Sequence, residues 1–218
     1  MKRHYPAFLD LEGRKCVVVG GGEVALRKVQ SLLDVGGEVE VISPELCEGL
    51  RQLQLEHSIE VIARRYDRGD LDGAFLVIAA TNDRAANEMI ADEAGHRGTL
   101  INVVDVPDLC NFIVPSSVRR GDLTLAISTS GTGPALARRL RIKMEQEYGP
   151  EYESLSRIVR EVRAELKERG IRINGASWES ALDLDVIIRL IKEGKETEAK
   201  VVLVEALNES RKVGRDAR

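Results

Sequence analysis

The stretch Val17-Val18-Val19-Gly20-Gly21-Gly22-Glu23-Val24-Ala25 decides the fold of this chain. Three β-branched residues run into three glycines, and the glycines run into a helix-forming segment. The order is strand, tight turn, helix start, and it matches GxGxxG/A with Gly20, Gly22 and Ala25 in the small positions. Each position has a physical reason. Gly20 permits the tight turn, Gly22 lets a pyrophosphate approach the backbone, and Ala25 allows the helix to pack closely on the strand. Unpaired N–H groups at the helix start then hold the phosphates. Taken alone, such a run also suits a glycine-rich hairpin, so its flanks have to arbitrate.

From Arg14 to about Phe112, short β-branched runs alternate with helical stretches, the pattern of a parallel sheet covered by helices. Strands are expected over 15–19, 38–42, 59–63, 75–80 and 100–104, with crossovers that include helices over 23–35 and 84–96. Right-handed connections stack these into an α/β, Rossmann-type parallel sheet domain. After Pro115 the pattern changes. Strands over 116–118 and 123–128 flank the turn Arg119-Arg120-Gly121-Asp122, and the small-residue loop Thr129 to Gly133 leads through Pro134 into a helix to about Tyr148. Beyond Gly149-Pro150 the chain reads as helices over 152–169, 178–192 and 196–208. The expected domains are therefore 1–113, 114–148 and 149–218: the nucleotide domain, a small α+β dimerisation unit and a helical C-terminal tail. The charged run Arg211 to Arg218 reads as a frayed terminus.

Composition bounds the function. With 218 residues, 43% hydrophobic and 31% charged, the chain can bury a real core. Its 32 basic and 36 acidic residues give a net charge of −4, which argues against nucleic acid or an anionic membrane as the main partner. The longest apolar runs fall far short of the roughly 20 residues of a membrane helix. Met1-Lys2-Arg3 leads straight into His4-Tyr5-Pro6 with no secretory pattern, so a cytoplasmic protein is expected. Cys16, Cys47 and Cys110 have neither a disulfide count nor a CxxC spacing, and His4, His57 and His96 are scattered, so no resident metal is expected.

The acidic residue that usually holds the adenosine ribose belongs at the end of the second strand, where this chain has Ser43-Pro44-Glu45. Ser43 stands at the expected place and Glu45 two residues late. No basic residue there would neutralise a 2′-phosphate, which favours NAD over NADP. The fourth strand ends in Ala79-Ala80-Thr81-Asn82-Asp83, and ligands in such sheets sit beyond the carboxyl ends of the strands, so these residues either flank the cofactor or cap a helix.

Several segments together resemble the precorrin-2 dehydrogenase family, the oxidising module of siroheme biosynthesis. They are Pro6-x-Phe8-Leu9, Val19-Gly20-Gly21-Gly22-x-Val24-Ala25-x-Arg27-Lys28, Ala79-Ala80-Thr81, Asn102-Val103-Val104-Asp105, Phe112-Ile113-x-Pro115-Ser116 and Ser128-x-x-Gly131-Thr132-x-Pro134, in order over about residues 5–145. The resemblance implies that NAD+ accepts a hydride from precorrin-2 to give sirohydrochlorin, that some members also insert Fe2+, and that the protein is a homodimer. It places the catalytic aspartate on Asp105. The cofactor contacts expected on this basis are Gly20, Gly22, Glu23, Val24, Ser43, Pro44, Glu45, Ala80, Thr81, Asn102 and Val104. For a polycarboxylate tetrapyrrole, the expected contacts are Arg119, Ser128, Thr129, Gly131, Thr132 and Arg138. From the residues alone, Asp105 also suits a simple turn ahead of Pro107. The arginines after Pro134 also suit a solvated face opposite a packed Leu136, Leu140, Met144 stripe. A non-catalytic NAD-responsive regulatory module is the rival function, and it needs no carboxylate at the sheet edge.

Overall fold

The computed structural model describes residues 4–216, with side chains described as far as residue 210. The chain divides into two compact units that meet at Val114 and Pro115.

The first unit is a five-stranded parallel sheet: β1 (Lys15–Val19), β2 (Glu38–Ile42), β3 (Glu60–Ile62), β4 (Leu76–Ala79) and β5 (Leu100–Val103). The spatial order is β3-β2-β1-β4-β5. Val19 at the end of β1 pairs with Ile42 on one side and Ala79 on the other. Because neighbouring side chains point to opposite faces, Cys16 and Val18 enter one core with Ala25, Val29, Leu32 and Leu50. Val17 and Val19 enter the other with Leu71, Ile90 and Ala94. Both faces are covered, which is why the central strands β1 and β4 read as nearly unbroken apolar runs.

Helix α1 (Glu23–Leu33) presents Ala25, Val29 and Leu32 to the sheet, spaced as one helical face requires. It ends at Leu33 rather than Val35, because Gly36 at φ +78° turns the chain back toward β2. A further helix, α2 (Glu48–Leu55), lies between β2 and β3, beyond the two helical crossovers named from the sequence. Its interior Gly49 weakens the helix signal, yet a Cβ there would meet Leu26 Cδ2 at 2.4 Å, so the glycine serves the close approach of α2 to α1. Helix α3 (Arg84–Arg97) is capped by Asp83, whose carboxylate accepts from the Ala86 N–H at 3.2 Å, and is stopped by Gly98 in the left-handed region. The expected strand ends at Ala63, Ala80 and Val104 each lie one residue past the strand, although the N–H groups of Ala80 and Val104 still donate to Val19 O and Ala79 O.

The loop between β3 and β4 is fastened to α3 through a buried carboxylate. Glu93 accepts from the Tyr66 hydroxyl at 2.5 Å, from Gly69 N–H at 3.0 Å and from Arg97 Nε at 2.8 Å. Burial alone would raise the Glu93 pKa. The Tyr66, Gly69 and Arg97 donors outweigh it and bring the carboxyl below its usual value. Burial, and then the Glu93 carboxylate, push the Tyr66 phenol above its usual range.

The second unit opens with an antiparallel hairpin, β6 (Ser116–Arg120) and β7 (Leu123–Ile127), in which Arg120 pairs with Leu123. The turn is therefore two residues, Gly121-Asp122, with Gly121 at φ +56°. Arg119 and Arg120 belong to the strand rather than to the turn expected there, and the second strand stops one residue short of Ser128. Helices α4 (Pro134–Glu147), α5 (Glu151–Glu168), α6 (Gly175–Ala181), α7 (Leu184–Lys192) and α8 (Glu196–Asp216) follow. The segment expected as one helix over 178–192 is two, because Asp183 caps α7 by accepting from Val186 N–H at 3.1 Å. Leu155, Ile158, Val162, Ile187, Leu203 and Leu207 form the helical core. The run Arg211 to Arg218, expected to fray, has helical backbone as far as Asp216; its side chains, its last two residues and Met1-Lys2-Arg3 lie outside the described residues. No described helix is long and apolar enough to cross a membrane.

Candidate functional site

The glycine turn is tighter than its spacing implied. Gly20 has φ +126°, and a Cβ there would sit 2.4 Å from Ala80 O, so the ends of β1 and β4 touch through it. Gly21, which the spacing left as a free position, is the most confined. A Cβ on it would meet Glu45 O at 1.8 Å and Ser43 Oγ at 2.6 Å. Gly22 is the opposite case: a Cβ there meets nothing within 4 Å. Gly22 is also the N-cap of α1, without a side-chain capping bond. An open face beside an uncapped helix N-terminus is what a pyrophosphate requires. Glu23 and Val24 form the first turn beyond it, and Ala25 is fully buried against the sheet.

On one side of this turn lies the Ser43-Pro44-Glu45 corner. Ser43 is buried, and its hydroxyl donates to Glu45 O at 2.7 Å; Cys47 N–H donates to Gly21 O at 2.7 Å. The serine therefore ties the corner to itself. Pro44 and Glu45 are exposed, and the Glu45 carboxylate has no ion pair among the described residues.

On the other side, beyond β4 and β5, opens a cavity of about 610 Å³. Its walls bring together Val24, Ala80, Thr81, Val104 and Asp105, all expected from the sequence, with Asn82, Arg84, Asn87, Glu88, Val106, Asp108 and Leu109. Asn102 is not among them. Its Nδ2 donates to Phe112 O at 3.2 Å and lies 3.7 Å from Cys110 Sγ, a role in holding the segment after β5.

Asp105 is exposed and has φ +60°. A non-glycine residue rarely takes this conformation, Asp and Asn tolerate it best, and such residues gather at functional sites. Its neighbour Val106 closes the turn by donating to Val103 O at 3.2 Å, and Pro107–Leu109 then forms a single 3-10 turn. Lys28, one turn beyond Val24 on α1, feels this carboxylate. Burial lowers its ammonium pKa and Arg27 adds to the effect, while Asp105 opposes both. Lys28 belongs to the segment that carries the family resemblance, but no role was read for it there, because a lysine on a surface helix carries no signal of its own.

The substrate contacts expected from the sequence all belong to the second unit. Ser128 Oγ accepts from Ser130 N–H at 3.0 Å, Thr129 Oγ1 accepts from Gly133 N–H at 3.2 Å, and the Thr132 hydroxyl donates to Thr129 O at 2.7 Å. The loop is thus bonded to itself, with Ser130 at φ +52° and Gly131 at φ +81°. Arg119 and Arg138 are exposed, and neither has an ion pair among the described residues. Arg120, by contrast, is committed to the end of α4, donating to Tyr148 O at 2.9 Å. Of the stripe that the alternative reading packs, Leu136 is 57% and Leu140 37% exposed, while Met144 is half-buried.

A doubly wound sheet, an uncapped glycine turn at its carboxyl edge and a cavity beyond its neighbouring strands define a dinucleotide-binding protein. Residues 7–116 match the family described as NAD(P)-binding, and residues 120–147 match the sirohaem biosynthesis protein central family. The chain belongs to the precorrin-2 dehydrogenase and siroheme synthase family. It is 38% identical to a siroheme synthase of Nitrosococcus oceani over 207 residues, 94% of this chain and 44% of that one. It is 45% identical to a siroheme synthase of Methylobacillus flagellatus over 164 residues, 75% of this chain and 35% of that one. The chain spans less than half the length of these relatives. Among solved structures it is similar to SirC, precorrin-2 dehydrogenase, with TM-score 0.70 and 25% identity over 96% of this chain and all of that one.

Proposed function

We propose that the chain is a cytoplasmic, NAD-dependent precorrin-2 dehydrogenase, an oxidoreductase of siroheme biosynthesis. One observation carries this reading: Asp105, in the left-handed region, stands on the wall of the cavity beyond β5, on the far side of the glycine turn from the Ser43-Pro44-Glu45 corner. A dinucleotide whose phosphates lie at Gly22 and whose adenosine half lies toward β2 sends its other half over β4 and β5. When bound there, NAD+ supplies a hydride acceptor. The residues fit it: Gly22 leaves its face open, the start of α1 offers unspent N–H groups, and Glu45 is free to meet a ribose.

Conversion of precorrin-2 to sirohydrochlorin removes a hydride and a proton. Asp105 is the group we assign to the proton, as an exposed carboxylate at the edge where the hydride leaves. Where Fe2+ is then inserted, the macrocycle nitrogens give up their protons, and Asp105 is again the acceptor we assign. Arg119 and Arg138, with the Ser128, Thr129, Gly131 and Thr132 loop, are proposed to meet the substrate carboxylates, because guanidinium groups without ion pairs pair best with such acids. A regulatory module would need no such carboxylate.

We further infer a homodimer. Leu136 and Leu140 on α4 are exposed apolar side chains at i, i+4 spacing, as a helix covered by a second copy would present them. In this reading residues 114–148 make the dimerisation unit and 149–218 its helical support.

The test is anaerobic incubation of the protein with precorrin-2 and NAD+, followed by the tetrapyrrole spectrum and NADH absorbance, with Fe2+ added in a second arm. NADH formed together with sirohydrochlorin is the expected result; no NADH overturns the dehydrogenase reading, and no metal uptake overturns chelation alone.

A further inference from the structure

Three buried side-chain atoms among the described residues have no hydrogen-bond partner: His4 Nδ1, Glu40 Oε1 and Asn87 Oδ1. Glu40 Oε1 faces the Lys15 ammonium at 3.3 Å, so its charge is met. His4 stands at the start of the described chain. Asn87 is different, because it lines the cavity that holds Asp105 and is 6% exposed. Its amide is oriented by a bond that leaves no doubt which end is which: Nδ2 donates to Thr81 O at 3.0 Å. The carbonyl end is thereby turned away from Thr81 and is left as an unspent acceptor. It has no water-accessible surface, so solvent does not satisfy it either. Buried acceptors are almost always paired in native proteins, so one left over beside a cavity calls for a partner, and a ligand in that cavity can supply it.

The position of Asn87 says which donor that is. Asn87 lies one turn into α3, behind the carboxyl end of β4, and shares the cavity wall with Thr81, Asn82, Val104 and Asp105. The phosphates belong at Gly22 and the adenosine half toward β2, so the group that reaches β4 is the nicotinamide half. Its donors are the ribose hydroxyls and the carboxamide N–H groups; the ring itself has none. We propose that Asn87 is a positioning residue for the nicotinamide half of the dinucleotide. Its Oδ1 accepts a hydrogen bond from a ribose hydroxyl or the carboxamide. The bond fixes the ring over β4 and β5, toward Asp105. This inference rests on the NAD-dependent reading above.

Isothermal titration of the purified full chain with NAD+ and, separately, with ADP tests it. ADP carries the adenosine half and the diphosphate but no nicotinamide. In Asn87→Ala the affinity for NAD+ is expected to fall about tenfold, the value of one buried hydrogen bond, while the affinity for ADP stays within about twofold of wild type. Asn87→Asp keeps an acceptor and is expected to bind NAD+ better than Asn87→Ala. Titration with 3-acetylpyridine adenine dinucleotide, which lacks the carboxamide N–H groups, separates the two donors. If wild type and Asn87→Ala bind this analogue alike, the carboxamide is the partner; if Asn87→Ala still weakens it, a ribose hydroxyl is. Affinities for NAD+ and ADP that fall together mean Asn87 only props the Thr81 corner and overturn the proposal, as does an unchanged NAD+ affinity. A wild-type chain that binds ADP but not NAD+ overturns the cofactor reading itself and this inference with it.

Discussion

Gly21 lies so close to Glu45 that a methyl group on the glycine would sit 1.8 Å from the Glu45 carbonyl oxygen. Both the contact and the bond from Cys47 N–H to Gly21 O are backbone interactions, so no side-chain rotation relieves a substitution. Gly21→Ala is expected to force the β2 corner away from the glycine turn and to cost about 2–4 kcal/mol of stability. Thermal unfolding checks this, and a melting temperature equal to wild type would show that the two corners do not touch.

Gly22, its neighbour, should behave in the reverse manner. Its backbone has φ −90° and ψ −174°, extended geometry that any residue adopts, and its Cβ position is open. Gly22→Val is therefore expected to cost less than about 1 kcal/mol in stability, yet to weaken NAD+ and ADP alike by about tenfold or more, because the side chain fills the space through which phosphates approach. Calorimetric titration beside a melting curve separates the two effects. Retained affinity would move the pyrophosphate elsewhere.

Asp105 combines a strained backbone with an exposed carboxylate. Asp105→Gly is expected to relieve the left-handed φ and leave stability unchanged or raised by up to about 1 kcal/mol, while turnover is lost. Asp105→Asn keeps both shape and hydrogen-bonding size and should lose turnover as well, with NAD+ affinity retained. Steady-state rates next to denaturant midpoints read this out. A variant that is both destabilised and active would make Asp105 a structural turn residue.

Glu93 predicts a pH dependence. Its folded pKa lies below the unfolded value of about 4.3. The carboxylate therefore contributes stability that is fully present above that unfolded value and is lost as pH falls through the folded one. Glu93→Gln is expected to cost about 1–3 kcal/mol near neutrality and to flatten the fall in stability below about pH 4.3. Denaturant titrations from pH 3 to 7 (roughly the window bounded by the carboxylate pKa values) would show an unchanged acid limb if Glu93 plays no such part.

The strands and the nucleotide turn were legible because their determinants are local. Lys15–Val19 and Glu38–Ile42 were placed residue for residue, the first as an apolar run buried from Cys16 to Val19 and the second by the alternation of Glu38 and Glu40 with the buried Val39 and Val41. Helix α2 was not legible, because Gly49 obeys a contact with Leu26, a residue more than twenty positions away, rather than helix propensity. The same holds for Gly21 against Glu45 and for the Tyr66–Glu93 bond, both of which exist only once strands are brought side by side. The break at Asp183 was readable in principle: Asp183-Leu184-Asp185 is a capping signal hidden inside a helical run. At the site, Asp105 stands out through the family resemblance, since the residues alone suit a turn aspartate equally well, whereas Asn87 carries no sequence signal because a mid-helix amide gains meaning only from the cavity it faces.

In the proposed reaction a hydride passes from precorrin-2 to NAD+ and Asp105 takes the proton. The direct measurement is the anaerobic yield of NADH per sirohydrochlorin formed, compared between wild type and Asp105→Asn under conditions where both are shown to bind NAD+. Equal amounts of NADH and sirohydrochlorin from wild type, with neither from Asp105→Asn, is the predicted result. Sirohydrochlorin formed without NADH, or at the same rate by both proteins, would contradict it.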